Sequence, residues 1–290
     1  MPHEREIIMK KQKSGFIRGV WGIYDVGGKL GKPYSRRTKI DNDITLAKLN
    51  PYAPKCKVYI FGEDNFKILT DKGFDTVLID KKPICWDMLK EQYRHKIEIW
   101  KAGLQDFEEI VFLDWDCVPC APIPNDFWQV LGSGAKVRTT LYQYVLQRAL
   151  FRSPDARKLS ASTFVYIRGE EVVEGIIKTW EDMGKPWQEE VALSKYIDNL
   201  NGGWKGIKDY SVKFEQPYHT LFFGYPSEYL KEVVAKNNIF YHLNYKQVIY
   251  LLADGKPNNI KARLDVYQQG AIKIAQISSE RMLVIERKGK

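Results

Sequence analysis

Cysteine is scarce in this chain, and long apolar runs are absent. Its 290 residues hold four cysteines, Cys56, Cys85, Cys117 and Cys120. That is too few for a disulfide framework at this length, so a reducing, cytoplasmic setting is expected. No stretch approaches the ~18 consecutive apolar residues that cross a bilayer. The opening residues, MPHEREIIMKKQKSGF, lack the apolar core of a secretory signal. No low-complexity tract and no repeat at solenoid spacing is found, which argues against fibrous and array architectures. A zinc pattern is missing too. Cys117-x-x-Cys120 has no second Cys-x-x-Cys or His-x-x-x-His to complete a tetrahedral site, and Pro119 and Pro122 stiffen the segment into a turn. Both cysteines read as small buried apolar residues.

What is present is ordinary in composition and uneven in charge. At 44% hydrophobic and 13% aromatic, the sequence is that of a globular protein. Lys+Arg exceeds Asp+Glu by 45 − 36 = +9. Residues 1–40 alone hold ten lysines and arginines against three acids, a net +7, including KKQK at 10–13 and RRTK at 36–39. A basic arm of this kind suits a polyanion, whether nucleic acid, anionic lipid or a phosphorylated ligand, or it simply solubilises the surface.

The first half alternates strand and helix. GVWGIYD (19–25) reads as a first strand, with a short helix near 43–49 after it. KVYIFGED (57–64) is the second strand and DTVLID (75–80) the third. A long amphipathic helix over about 85–104, with Met88, Leu89, Tyr93, Ile97, Trp100 and Leu104 at three- and four-residue spacing, feeds a fourth strand. That strand, EIVFLDWD, is apolar on both faces until it ends in Asp114, Trp115 and Asp116. Strands joined by helical crossovers imply an α/β fold with a mostly parallel, twisted sheet flanked by helices. Ligands bind such sheets beyond the carboxyl ends of the strands, where Asp25, Asp64, Asp80 and the Asp114/Asp116 pair fall.

The second half is more elaborate. STFVYIR (162–168) is a strand, EEVVEGIIKTWEDM (170–183) and QEEVALSKYIDNL (188–200) are helices, and a C-terminal helix is expected from about 260. No linker is long enough to separate two independent units. One domain over 1–290 is expected, with a first half at 17–118, a second half at 119–246 and a C-terminal extension at 247–290.

On a strand, Asp114 and Asp116 would point the same way and repel, so a positive partner is required. A lysine would serve, but a divalent cation is the usual answer, and hard carboxylate ligands suit Mg²⁺ or Mn²⁺.

At this point the sequence resembles a known group. VFLDWD is similar to the DxD motif of glycosyltransferases with the GT-A fold, a Rossmann-like sheet. RHKIEIW places Arg94 and Lys96 where glycogenin-like enzymes carry a basic residue that meets the sugar-nucleotide. PWQEEVALSKY resembles the WHDESHLNKY-type segment of retaining transferases related to the blood-group enzymes, with Trp187, Glu190, Leu193, Lys195 and Tyr196 in register. Gln188 stands in place of the histidine of that segment. IFYHLNYK resembles the late His-containing segment of the glycogenin-like group, although Lys246 comes early and the Pro-Trp that follows there is absent. The resemblance covers about residues 17–246 and consists of short motifs in the same order.

The resemblance implies a metal-dependent transfer of sugar from a nucleotide-sugar, a UDP-sugar, to an acceptor hydroxyl. Asp114, Asp116 and His242 would hold Mn²⁺ or Mg²⁺ as Lewis acid for the departing diphosphate. Arg94, Lys96 and Lys246 would meet the phosphates. Tyr24 and Asp25 would meet the base and ribose, and Trp115 is counted with them among the donor-binding residues. Glu190 would be the carboxylate near the reacting carbon, with Glu189 holding sugar or acceptor hydroxyls. The acceptor favoured by the basic arm is a hydroxymethylated DNA base, as in phage-type DNA-modifying enzymes working in a host cytoplasm, with glycan or protein as the other options. Two rival classes stay open: a metal-dependent nucleotidyl- or phosphotransferase, and a non-catalytic nucleic-acid-binding protein.

Overall fold

The computed structural model describes residues 11–22, 44–82, 94–119, 121–141, 160–184, 189–200, 219–221 and 240–242. Tyr24, Asp25, Cys120, Lys246 and the expected C-terminal helix lie outside the described residues. In chain order the elements are β1 (Gln12–Val20), α1 (44–49), β2 (Cys56–Phe61), α2 (Glu63–Asp71), β3 (Asp75–Asp80), α3 (Arg94–Asp106) and β4 (Phe107–Leu113). Then come β5 (Cys117–Pro119), α4 (Phe127–Gly132), β6 (Val137–Leu141), β7 (Ser160–Arg168), α5 (Glu170–Asp182), α6 (Glu189–Leu200), β8 (His219–Leu221) and β9 (Phe240–His242).

Six strands form one sheet in the order β3-β2-β1-β4-β7-β6. The β3-β2-β1-β4 portion is parallel, and β7 and β6 continue it antiparallel. This is the mostly parallel α/β sheet that the alternation of apolar strands and amphipathic helices implies. Its order runs outward from β1 to β3 and then returns to place β4 on the other side of β1. The β1/β4 boundary is therefore the topological switch point, where such sheets open a crevice for ligands.

Both faces are covered. Ile17, Phe112, Val165 and Ile167 pack under Ile97 and Trp100 of α3, Ile176 of α5 and Leu193 of α6. On the other face Val111, Leu113, Phe164 and Tyr166 meet Phe127 and Leu131 of α4, while Val20, Val58 and Ile60 meet Ile44 and Leu69. Each such side chain, fully buried, contributes about 1.5–3 kcal/mol.

Three boundaries depart from the sequence reading. The first strand is Gln12–Val20 rather than 19–25. Its glycines look like breakers in sequence but admit neighbours: a Cβ on Gly15 would overlap the Phe107 ring, and one on Gly19 would overlap Ile99. The second strand stops at Phe61, because Gly62 at φ 97° turns the chain straight into α2 and carries Asp64 into that helix. The fourth strand stops at Leu113, one residue before the aspartates.

A small second sheet, β5-β9-β8, lies beyond this last boundary. β5 pairs antiparallel with β9, setting Cys117 opposite His242.

Candidate active site

The two aspartates sit in a turn, not on a strand. The Asp114 amide donates to the Thr163 carbonyl at 2.9 Å, a last rung between β4 and β7. The Cys117 amide then donates back to the Asp114 carbonyl at 3.0 Å and closes a four-residue turn. Strand alternation therefore does not set the relation of Asp114 to Asp116.

Arg18 moors this turn from below. It is 2% exposed and sits on β1 among apolar residues. Its guanidinium donates to the carbonyls of Asp114 (2.9 Å) and Cys117 (3.3 Å), the two ends of the turn. It also lies 5.0 Å from the centre of the Trp115 ring. The Trp115 indole N–H donates to the Gly19 carbonyl at 2.9 Å, and the ring meets Phe74 edge-on at 5.6 Å. Trp115, expected among the donor-binding residues, is a strut between β1 and the turn.

The positive partner of Asp114 is Lys96. This lysine projects from α3 and is almost wholly buried, with Nζ 3.0 Å from an Asp114 carboxylate oxygen, 3.2 Å from Glu189 Oε1 and 3.1 Å from Ser162 Oγ. The Ser162 hydroxyl in turn donates to Glu189 Oε1 at 2.6 Å. Glu189 and Glu190 open α6, where the helix dipole favours negative charge. Three carboxyl groups thus gather around one ammonium. Burial alone would lower the Lys96 pKa, but Asp114, Glu189 and Glu190 together outweigh it and hold the lysine charged. Glu190 moves the other way. Burial first, and the charge of Glu189 second, push its carboxyl well above the ordinary range, against the opposing pull of Lys96. The second oxygen of Glu189, Oε2, is buried with no hydrogen-bond partner among the described residues.

Lys96, Asp114, Glu189 and Glu190, all singled out from sequence, therefore meet at the carboxyl end of the parallel strands. Asp116 is half-buried in the same turn. Arg94 falls in the first turn of α3, two residues before Lys96. His242 is placed by backbone only: its pairing with Cys117 puts it beside the residue that follows Asp116. Antiparallel partners stand ~5 Å apart between Cα atoms. Among the described residues no cluster of three His, Cys, Asp or Glu side chains stands ready to hold a metal. Asp114 and Asp116 carry the hard carboxylate oxygens that Mn²⁺ and Mg²⁺ take, and the backbone of His242 adjoins the same turn.

Two residues of this site were not singled out from sequence. Arg18 had a signal, a charge inside the apolar run Phe16-Ile17-x-Gly19-Val20. Ser162 had none, since a serine near the start of a strand is unremarkable on its own.

No protein-family model matches the chain, and no curated protein matches it in sequence. Solved structures to which it is similar include the apo-form glycosyltransferase GlyE of Streptococcus pneumoniae, at 12% identity over 72% of this chain and 46% of that one, TM-score 0.40. They also include the bifunctional glycosyltransferase WbbM in its apo form, at 10% identity over 81% of this chain and 46% of that one, TM-score 0.43. A third is a glycosyltransferase involved in glycosylation of the major capsid of PBCV-1, at 10% identity over 83% of this chain and 99% of that one, TM-score 0.41. The chain spans under half the length of the first two and nearly all of the third.

Proposed function

We propose that the chain is a metal-dependent glycosyltransferase that moves a sugar from a nucleotide-sugar, a UDP-sugar, to an acceptor hydroxyl. The observation that carries this reading is the convergence of Lys96, Asp114 and the Glu189/Glu190 pair at the β1/β4 switch point. A basic group, a turn bearing two carboxylates and a second carboxylate pair are the parts that departure of a diphosphate from a sugar requires.

Asp114, Asp116 and His242 would hold Mn²⁺ or Mg²⁺, which supplies a Lewis acid for the charge that builds on the leaving diphosphate. Lys96 offsets part of the negative charge gathered there and holds the Asp114 carboxylate in place. Arg94 and Lys246 are assigned to the phosphates, and Tyr24 and Asp25 to the nucleoside. Glu190, once ionised, faces the carbon that becomes oxocarbenium-like, and Glu189 takes the sugar or acceptor hydroxyls. Nearly full burial of both glutamates supports these roles, because a carboxylate shielded from water acts more strongly on developing positive charge.

The acceptor is a hydroxyl of a DNA base, a glycan or a protein. Lys11 and Lys13 flank Gln12, which pairs with Phe107 at the start of β4, at the end of the sheet opposite Asp114. Lys13 is about 20 Å from the level of Asp114 by strand rise. DNA as acceptor therefore rests on the basic residues that follow β1, Arg36 and Arg37 among them.

Incubation with a panel of nucleotide sugars tests the reading. EDTA should abolish donor hydrolysis and transfer, and Mn²⁺ or Mg²⁺ should restore both. Asp116→Asn should remain folded and lose activity. Full turnover in excess EDTA would remove the metal from the proposal.

A further inference from the structure

Ser162 is the one non-glycine residue with a positive φ among the described residues, at 44°. An L residue is strained in this left-handed region, and glycine is not. The strain has a geometric consequence. Val165 and Ile167 of β7 face α3, α5 and α6, while Phe164 and Tyr166 face the other side. Alternation counted back along the strand would put Ser162 with Phe164 and Tyr166. Its hydroxyl instead meets Lys96 of α3 and Glu189 of α6. The β6–β7 register shifts at the same place, between Thr139 and Leu141, so that β7 carries extra residues against its neighbour. Such bulges re-aim a side chain.

We infer that Ser162 is a positioning residue, held in left-handed backbone so that its hydroxyl ties Glu189 to Lys96. The inference rests on the transferase reading of the site. The hydroxyl donates to Glu189 Oε1 and accepts from the lysine, so it fixes the rotation of the Glu189 carboxylate about its last torsion, which is otherwise broad. Oε2, buried and without a partner among the described residues, is then held in one orientation for a ligand hydroxyl. Glycine at this position would carry no strain and no hydroxyl. Alanine would keep the strain and lose the hydroxyl.

That pair separates function from folding. Ser162→Gly should melt about 2–4 °C above Ser162→Ala, because only glycine relaxes at this φ. Both should lose kcat by about ten- to a hundredfold, with donor KM changed by less than about threefold, because both drop the same charge-assisted hydrogen bond. In a cycle with Glu189→Gln, the double variant should lose no more kcat than the worse single variant. A structural role alone would make turnover follow stability, so wild-type kcat in Ser162→Gly overturns the inference, as do additive losses in the cycle. A Gly variant no more stable than the Ala variant overturns the strain. If the wild-type protein turns over no nucleotide sugar while the melting gap persists, the transferase reading is wrong, and the purpose assigned to the strain falls with it.

Discussion

Arg18 holds Asp114 by the backbone and not by the charge. Its guanidinium donates to the Asp114 main-chain carbonyl at 2.9 Å, while the Asp114 carboxylate turns to Lys96 at 3.0 Å. The two cations come from opposite faces of the sheet, Arg18 from the side of Phe16 and Val20, Lys96 from α3. A carboxylate bound by both would be saturated. This arrangement fixes the turn from one side and leaves the Asp114 carboxylate directed to the other.

Arg18→Met and Arg18→Lys test that mooring. Met removes both carbonyl contacts and should cost about 3 kcal/mol, the range for hydrogen bonds from a charged donor. Lys keeps the charge but cannot bridge two carbonyls and stack on Trp115 with one planar group. If the turn holds Mn²⁺ as proposed, both variants should bind it about 10–100-fold more weakly, as loss of a support behind metal ligands does, read by electron paramagnetic resonance titration without donor. Unchanged Mn²⁺ affinity in a folded Arg18→Lys would show that the turn keeps its shape unaided.

Removing the central cation should be worse. Lys96 is the shared partner of Asp114 and Glu189, and nearly all of its side chain is buried. Lys96→Met leaves two carboxylates facing each other without compensation, a loss of about 3–5 kcal/mol for breaking a buried pair from one side. Adding Glu189→Gln should restore part of it, because one of the uncompensated charges is gone. Urea unfolding of the two variants reads the difference. Equal stability of single and double variants would mean that Lys96 and Glu189 are not coupled.

Glu190 predicts a pH dependence of definite sign. Its folded-state pKa lies above the ordinary value of 4.5, so at intermediate pH the folded protein holds a proton that the unfolded chain has released. The stability this provides is full below pH 4.5 and is lost as pH rises through the folded value. Glu190→Gln imitates the protonated form at every pH. Its melting temperature should fall less between pH 4.5 and neutrality than that of the wild type. The same variant should lose kcat by on the order of 10²-fold, with little change in donor affinity. Parallel melting curves across this range would place the raised carboxyl elsewhere.

Periodicity and apolar runs made most of the sheet legible. β3, α5 and α6 fall where the sequence puts them, to within a residue, because buried strands and amphipathic helices announce themselves locally. β1 did not, since Gly15 and Gly19 have their reason in Phe107 and Ile99, which arrive from distant parts of the chain. The site divides the same way. Asp114, Glu189 and Glu190 stand out as acids at the ends of apolar elements. That Lys96 serves Asp114 is a fact of packing between α3 and β4, and the left-handed backbone of Ser162 leaves no trace in residue type. The packing of Trp115 was hidden for a related reason: its partners Gly19, Arg18 and Phe74 lie between 41 and 97 positions away.

The basic arm gives a prediction that sequence alone would have placed elsewhere. Lys11 and Lys13 begin β1 at the end of the sheet away from Asp114, and Lys11 is paired with Glu170 at the start of α5. A separation of about 20 Å exceeds the Debye length of ~8 Å at physiological salt, so these lysines barely affect the potential where an acceptor would dock. Replacing Lys11 and Lys13 with alanine should leave acceptor KM and its salt dependence nearly unchanged. Arg36 and Arg37 follow β1 in sequence and lie outside the described residues. If the acceptor is duplex DNA and about six phosphates are neutralised, binding should weaken with a log–log salt slope near −5. Arg36→Ala/Arg37→Ala should then flatten that slope by about 2 and leave nucleotide-sugar hydrolysis intact. Titrations on DNA carrying hydroxymethylated bases, across salt concentrations, make the comparison. A slope that changes with Lys11 and Lys13 instead would move the acceptor surface to the far end of the sheet, and no binding at low salt would leave glycan or protein as the acceptor.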